Sequence, residues 1–222
     1  MDFNFELTLS ADGFYGFLDK NGQWNGMIGD LVSDRAHIAA APLTITAVRE
    51  RVVDFTQPFM TLGIAVMHKK SGIEGGNGNV KDFKSVEELV SQNRVDYGCN
   101  YGSATQQFFV NSENQLHKTM LSHMSSNDGK SYVRDSREGM ERVMKGDYAF
   151  MTESTAIEYA IARECDLYQI GGLLNNKGFG FAVKKQDKGH LRTALSSAIL
   201  ELQERGVLEK LKAKYWQAEQ DC

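Results

Sequence analysis

The chain has 222 residues, a net charge of −4 and 41% hydrophobic residues, an ordinary globular composition with room for one large or two small domains. No basic tract or face stands out, which argues against nucleic acid as a partner, and the longest apolar run, Phe59–Met67, is far too short to span a bilayer. Cys99, Cys165 and Cys222 lack the close spacing of a zinc cluster; they allow one disulfide and one thiol, and spacing does not choose the pair.

Residues 2–9 alternate apolar and polar as a strand does, and the opening does not read as a signal peptide. Gly13 to Gly26 is a turn-rich hairpin region around Asp19-Lys20-Asn21-Gly22, with Trp24 expected to pack under it. A short helix is expected over Gly29–Arg35, then an apolar strand over His37–Ala41 and a turn at Pro42-Leu43-Thr44. That turn leads into a helix with Thr46 as N-cap. Phe59–His68 reads as a buried strand. The Gly- and Asn-rich stretch 71–79 has the composition of a flexible linker.

Beyond it, helix and strand alternate. Ser85–Gln92 opens with a Ser85/Glu88 capping box, Arg94–Cys99 is a strand, and Ser103–Asn111 is a helix capped by Ser103. Asp135–Met144 is helical, Asp147–Met151 a strand, and Glu153–Glu164 helical. Gln169–Gly172 and Phe179–Val183 are short strands around a Gly178/Gly180 turn, and His190–Arg205 and Gly206–Gln217 are amphipathic helices. This alternation predicts an α/β fold with mainly parallel sheets. There is no internal repeat, and the five histidines are scattered without metal spacing.

Arg49 is the residue that most invites a functional reading. In the first turn of a helix a cation opposes the dipole, which makes sense if the guanidinium clamps a carboxylate in two-pronged geometry. The plainer alternative pairs it with Glu50 or Asp54 on a solvated face. Glu153 alone would be an acid supporting a helix start, and Thr105 alone an ordinary first-turn residue.

Ala41–Lys70, together with Tyr148–Thr155 and the Gln169–Gly172 to Lys177–Gly180 stretch, resembles the ligand-binding domain of ionotropic glutamate receptors, three separated motifs in the expected order. The resemblance implies a bilobed α/β clamshell of the periplasmic-binding-protein type, two lobes joined by a hinge. Lobe 1 would be 1–60 plus 180–222 and lobe 2 61–179, with 71–79 resembling the join that replaces the ion pore in soluble forms of the domain. It implies no enzyme activity and no cofactor. L-glutamate, or another α-amino acid, would be held between the lobes by the Pro42 carbonyl, Thr44 and a bidentate Arg49. Ala104 and Thr105 would take a second carboxylate, and Glu153 the ammonium.

Ala104-Thr105, Phe59–Ile64, Asp147–Phe150 and Gln169–Leu173 resemble the kainate class. By the same resemblance Cys165 and Cys222 form the family's disulfide. Glu50 and Asp54 match two positions of a sodium site near the dimer interface, while Gln57 and Thr193 stand where a chloride site has Lys and Asp. The implied setting is a homo- or heterotetrameric channel with dimer contacts through lobe 1. It would lie in the plasma membrane, with this domain extracellular and postsynaptic and with the membrane met only through pore segments. The family pattern has a further strand and helix of lobe 1 ahead of residue 1, with an aromatic that covers the ligand. It also has Gly at the position of Ser103 and Tyr at that of Phe179. A bacterial amino-acid-binding protein and a small-acid dehydratase using Glu153 are the competing readings.

Overall fold

The computed structural model describes residues 4–71, 82–126, 130–185 and 190–216. The expected linker, apart from Ser71, and Cys222 of the expected disulfide lie outside these residues. In chain order the first elements are α1 (Gly26–Val32), β1 (Ile38–Thr44), α2 (Ala47–Glu50), β2 (Val53–Phe55) and β3 (Met60–Leu62). Next come β4 (Ile64–Lys69), α3 (Val86–Val90), β5 (Asp96–Cys99), α4 (Ala104–Asn111), α5 (Gln115–Ser126) and α6 (Ser136–Lys145). The last are β6 (Tyr148–Glu153), α7 (Ser154–Ile161), β7 (Leu167–Ile170), β8 (Lys177–Lys184), α8 (His190–Glu204) and α9 (Val207–Trp216). They group into two compact units, Met1–Thr61 with Lys177–Ala213, and Leu62–Asn176 with Lys214–Cys222.

In the first unit β8 lies between β1 and β2, antiparallel to both, and β3 also pairs with it. Ile28, Leu31, Ala39, Leu43, Val53, Phe55 and Ala182 form the core, with Trp24 packed against it. Pro42 to Thr44 do not form the expected turn. They continue β1 through an irregularity between Ala39 and Leu43, which spans Pro42; proline has no N–H to give a ladder and is tolerated where pairing is interrupted. Gly178 and Gly180 likewise lie inside β8 rather than in a turn. The Asp19–Gly22 turn forms, with the Asp19 carboxylate accepting from Asn21 and Gln23 N–H at 2.8 Å each, and Leu18 bridges Trp24. Residues 4–9 are not a strand: Phe5, Leu7 and Leu9 are 75%, 82% and 97% exposed. Alternation supplies a face but not the neighbouring strand that would stabilise it.

In the second unit the sheet order is β5-β6-β4-β7, and only β5 and β6 run parallel. The expectation of mainly parallel sheets therefore fails among the described strands. Its cause is insertion, since β4 and β8 each enter the middle of a sheet from a distant part of the chain. Burial on both faces explains the unbroken apolar character of β4. Val66 faces one core with Ala149, Met151, Leu89, Phe109, Met120 and Met124. Ala65 and Met67 face another with Tyr148, Phe150, Val143 and Ile157. Helix α5, which the sequence reading leaves unassigned, contributes Met120 and Met124, and its start is held by the Asn114 side chain accepting from Leu116 N–H at 2.8 Å. Cys99 is a free, buried thiol, its pKa pushed up to about 12 by desolvation, and Cys165 is disulfide-bonded.

Candidate functional site

The expected ligand residues divide between the two units, and each half is described within its own unit. Pro42, Thr44 and Arg49 belong to the first. Pro42 is exposed on β1, Thr44 ends that strand buried, and Thr46 caps α2, its Oγ accepting from Arg49 N–H at 3.3 Å. Helix α2 has only four residues, so Arg49 lies in its last turn as well as its first, and the objection from the helix dipole dissolves. Arg49 is 8% exposed, which rules out the solvated-face alternative. Its Nη1 donates to the Thr44 carbonyl at 2.9 Å and its Nη2 to the Gly16 carbonyl at 3.0 Å. Two main-chain acceptors thus fix the plane of the guanidinium, the property that makes arginine a carboxylate receptor. Gly16 can offer its carbonyl there because it sits at φ +125, where a Cβ would stand 2.6 Å from Ile28.

Glu50 is exposed at the end of α2 and Asp54 is partly buried in β2. The Lys185 ammonium donates to the Glu50 and Arg51 carbonyls at 2.8 and 2.9 Å. Main-chain oxygens at this corner are therefore already engaged by a cation of the chain itself. Among the described residues no group of three or more His, Cys, Asp or Glu is placed to hold a metal ion. A tethered ammonium therefore lies on the main chain next to the two carboxylates expected to hold sodium. Gln57, of the expected chloride position, donates its N–H to Ser196 Oγ at 3.1 Å.

The second unit carries Ala104, Thr105 and Glu153. Because β5 and β6 run parallel, their carboxyl ends share one edge of the sheet, and each is followed by a helix, the arrangement in which open α/β sheets present ligand sites. From β5 the chain passes through Asn100–Ser103 into α4. Ser103 Oγ accepts from Gln106 N–H at 3.2 Å, its carbonyl accepts from Gln107 N–H at 3.1 Å, and Gln106 Oε1 accepts from Gly102 N–H at 2.7 Å. Helix geometry leaves the Ala104 and Thr105 amides, the first two of α4, without intrahelical acceptors. Thr105 itself is only 4% exposed. Amides and a hydroxyl at a helix start are suited to an anion.

Glu153 is the last residue of β6, opposite Ile64, and the N-cap of α7, yet its side chain makes no cap hydrogen bond. The turn is held from outside: Ser154 N–H donates to the Gly63 carbonyl at 2.7 Å and Gly63 N–H to Ser154 Oγ at 3.2 Å. A Cβ at Gly63 would collide with the Asn175 carbonyl, and the Asn175 side chain accepts from Ile64 N–H at 2.8 Å. Sequence reasoning missed Gly16, Gly63, Asn175 and Lys185. They act through main-chain atoms or on them, and a lone Gly or Lys carries little signal of that. Among the described residues no helix is long and apolar enough to cross a membrane.

Residues 1–72 match the family model described as "Ligated ion channel L-glutamate- and glycine-binding site". The chain is 29% identical to the human protein "Glutamate receptor ionotropic, kainate 1" over 97% of this chain and 35% of that one. It is 28% identical to human "Glutamate receptor ionotropic, kainate 4", over 97% of this chain and 34% of that one. It thus spans about a third of the length of these curated relatives. Among solved structures it resembles "Drosophila muscle GluRIIB complex with glutamate", with a TM-score of 0.84 and 36% identity, covering 96% of this chain and 80% of that one.

Proposed function

The chain belongs to the ligand-binding domain family of ionotropic glutamate receptors, whose two-lobed α/β fold it shares, and from that premise we propose that it binds L-glutamate to gate a kainate-like cation channel. The observation that carries this reading is the buried Arg49 guanidinium held in plane by the Thr44 and Gly16 carbonyls. Arg49 takes the ligand α-carboxylate, with Thr44 and the Pro42 carbonyl beside it. The Ala104 and Thr105 groups take the γ-carboxylate and Glu153 accepts from the ammonium. A cationic clamp, an anionic acceptor and a second anion site together describe an acidic α-amino acid.

In this reading the domain faces the extracellular side of the plasma membrane at a postsynaptic site. It works in a homo- or heterotetramer whose dimer contacts run through the first unit. Gating is a population shift: a ligand that satisfies both halves stabilises only the states in which both reach it, and that difference in contact free energy opens the channel. The Cys165–Cys222 pair serves as the disulfide of the domain.

Calorimetric titration with L-glutamate, glycine and L-serine tests the reading. Saturable binding that favours glutamate is expected. Preference for glycine or serine would remove the role given to Ala104 and Thr105, and silence with all three would remove the function.

A further inference from the structure

Helix α7 differs from the other capped helices of its unit. Ser85, Ser103 and Asp135 cap α3, α4 and α6 with their side chains, whereas Glu153 leaves α7 without such a bond. A helix of eight residues with an uncapped start frays readily. Gly63 holds the start from one direction, through Ser154. The last turn of α9, which groups with this same unit, holds it from another.

Trp216 Nε1 donates to the Thr155 carbonyl at 2.8 Å, two residues from Glu153, and its ring meets that of Tyr159 edge-on at 6.3 Å. The Arg163 guanidinium lies 3.5 Å over the Tyr159 ring. Its Nη1 donates to the Trp216 and Tyr159 carbonyls at 3.2 and 3.1 Å, and its Nη2 to the Tyr215 carbonyl at 3.2 Å. Arg163 thus satisfies carbonyls that the end of α9 would leave without partners, and so fixes where the indole points.

We propose that Trp216 is a positioning residue for Glu153: its indole N–H holds the first turn of α7 and so places the carboxylate that receives the ligand's α-ammonium group. The inference rests on the reading of Glu153 as that acceptor. Glu153 is the N-cap of α7, so a shift of that first turn shifts the carboxylate it carries. The C-terminal helix therefore contributes to affinity without touching the ligand.

The test is a double-mutant cycle, with L-glutamate titrated into the wild-type chain, Trp216→Phe, Glu153→Asp and the double variant. Trp216→Phe, which removes the N–H and keeps a ring, is expected to weaken binding about fivefold to tenfold, the worth of one hydrogen bond. With Asp at 153 the carboxylate is already withdrawn, and the same change is expected to cost less than about twofold. Unchanged affinity in Trp216→Phe, or the same loss in both backgrounds, would overturn the proposal. A wild-type chain that binds no glutamate would overturn the underlying reading, and this one with it. Should Trp216→Phe not fold, Arg163→Lys repeats the cycle in a chain that keeps the indole; the same dependence on residue 153 is expected, and its absence is equally decisive.

Discussion

The candidate residues of the two units offer a charged ligand different means of recognition. In the first unit a side chain does it: Arg49 is buried and oriented by the carbonyls of Thr44 and Gly16. In the second unit the Ala104 and Thr105 amides offer fixed dipoles at a helix start, and Glu153 adds a carboxylate at the end of β6. A guanidinium brings full charge and a rigid fork, so it anchors whatever carries an α-carboxylate. Amides bring geometry, so they can discriminate among what such ligands carry at the other end. The difference teaches where affinity and selectivity should separate under mutation.

Arg49→Ala is the largest break. Removing a buried charged partner leaves the ligand carboxylate uncompensated, at a cost of about 3 kcal/mol or more, over a hundredfold in affinity. Calorimetry should show loss of glutamate and of glycine together; unchanged affinity for either would sink the anchor.

Ala104→Pro sharpens the other side of the comparison. The first helical position tolerates proline, and Ser103 before it is already extended at φ −81 and ψ 165, so the helix should persist while one amide donor vanishes. Glutamate is expected to bind about tenfold more weakly, with any glycine binding unchanged because glycine has no second carboxylate. Equal losses for both ligands would show that α4 supports the site without reading the ligand.

The same contrast explains what the sequence revealed. For Arg49 the sequence offered a clamp or a solvated face; burial removes the second, while the dipole argument that singled the residue out does not survive in a helix of four residues. The helices α2, α3 and α4 were legible from their caps, which act on neighbouring residues. Sheet order was not, because β8 and β4 enter their sheets from far along the chain and local alternation says nothing of insertion. Helix α5 had its signal in Leu116, Met120 and Met124 at four-residue spacing, but Asn114 was not recognised as its start. The expected turn at Pro42 was a misreading of a strand irregularity. Gly16 and Gly63 stayed hidden because their role belongs to carbonyls and amides.

Acid near neutrality should reveal a property of the second unit. His68 is buried beside Phe83 and Tyr168, its Nε2 donating to the Gly146 carbonyl at 3.2 Å, and desolvation lowers its pKa below 6.5. Desolvation lowers that of His117 as well. In the unfolded chain both take up a proton more readily than in the fold. Their contribution to stability is therefore complete above pH 6.5 and declines as pH falls from there through the folded pKa values. Glu138, held down to about 2 by Arg134 and Arg142, contributes only to losses below its ordinary 4.5, outside this window. The denaturant midpoint should fall as the pH is lowered from about 7.5 to about 5.5, and His68→Gln should flatten that fall. An identical slope in the variant would remove His68 as its cause.

The smallest expected effect is a null, and it returns to the first unit. A free sodium ion at Glu50 and Asp54 would bind the folded state and raise the melting temperature as its concentration increases. Lys185 instead places its ammonium on the Glu50 and Arg51 carbonyls, and a tethered cation is insensitive to which salt surrounds it. Melting in sodium chloride and in caesium chloride at equal ionic strength should agree to within about 1 °C, since screening is the same in both. Lys185→Ala should lower the melting temperature in both salts, because two carbonyls lose their donor at once. If sodium alone rescued that variant, the corner would be a cation site that Lys185 has filled. If sodium already stabilised the wild-type chain over caesium, the ammonium would not be filling it, and Glu50 and Asp54 would have the role that the family resemblance gives them.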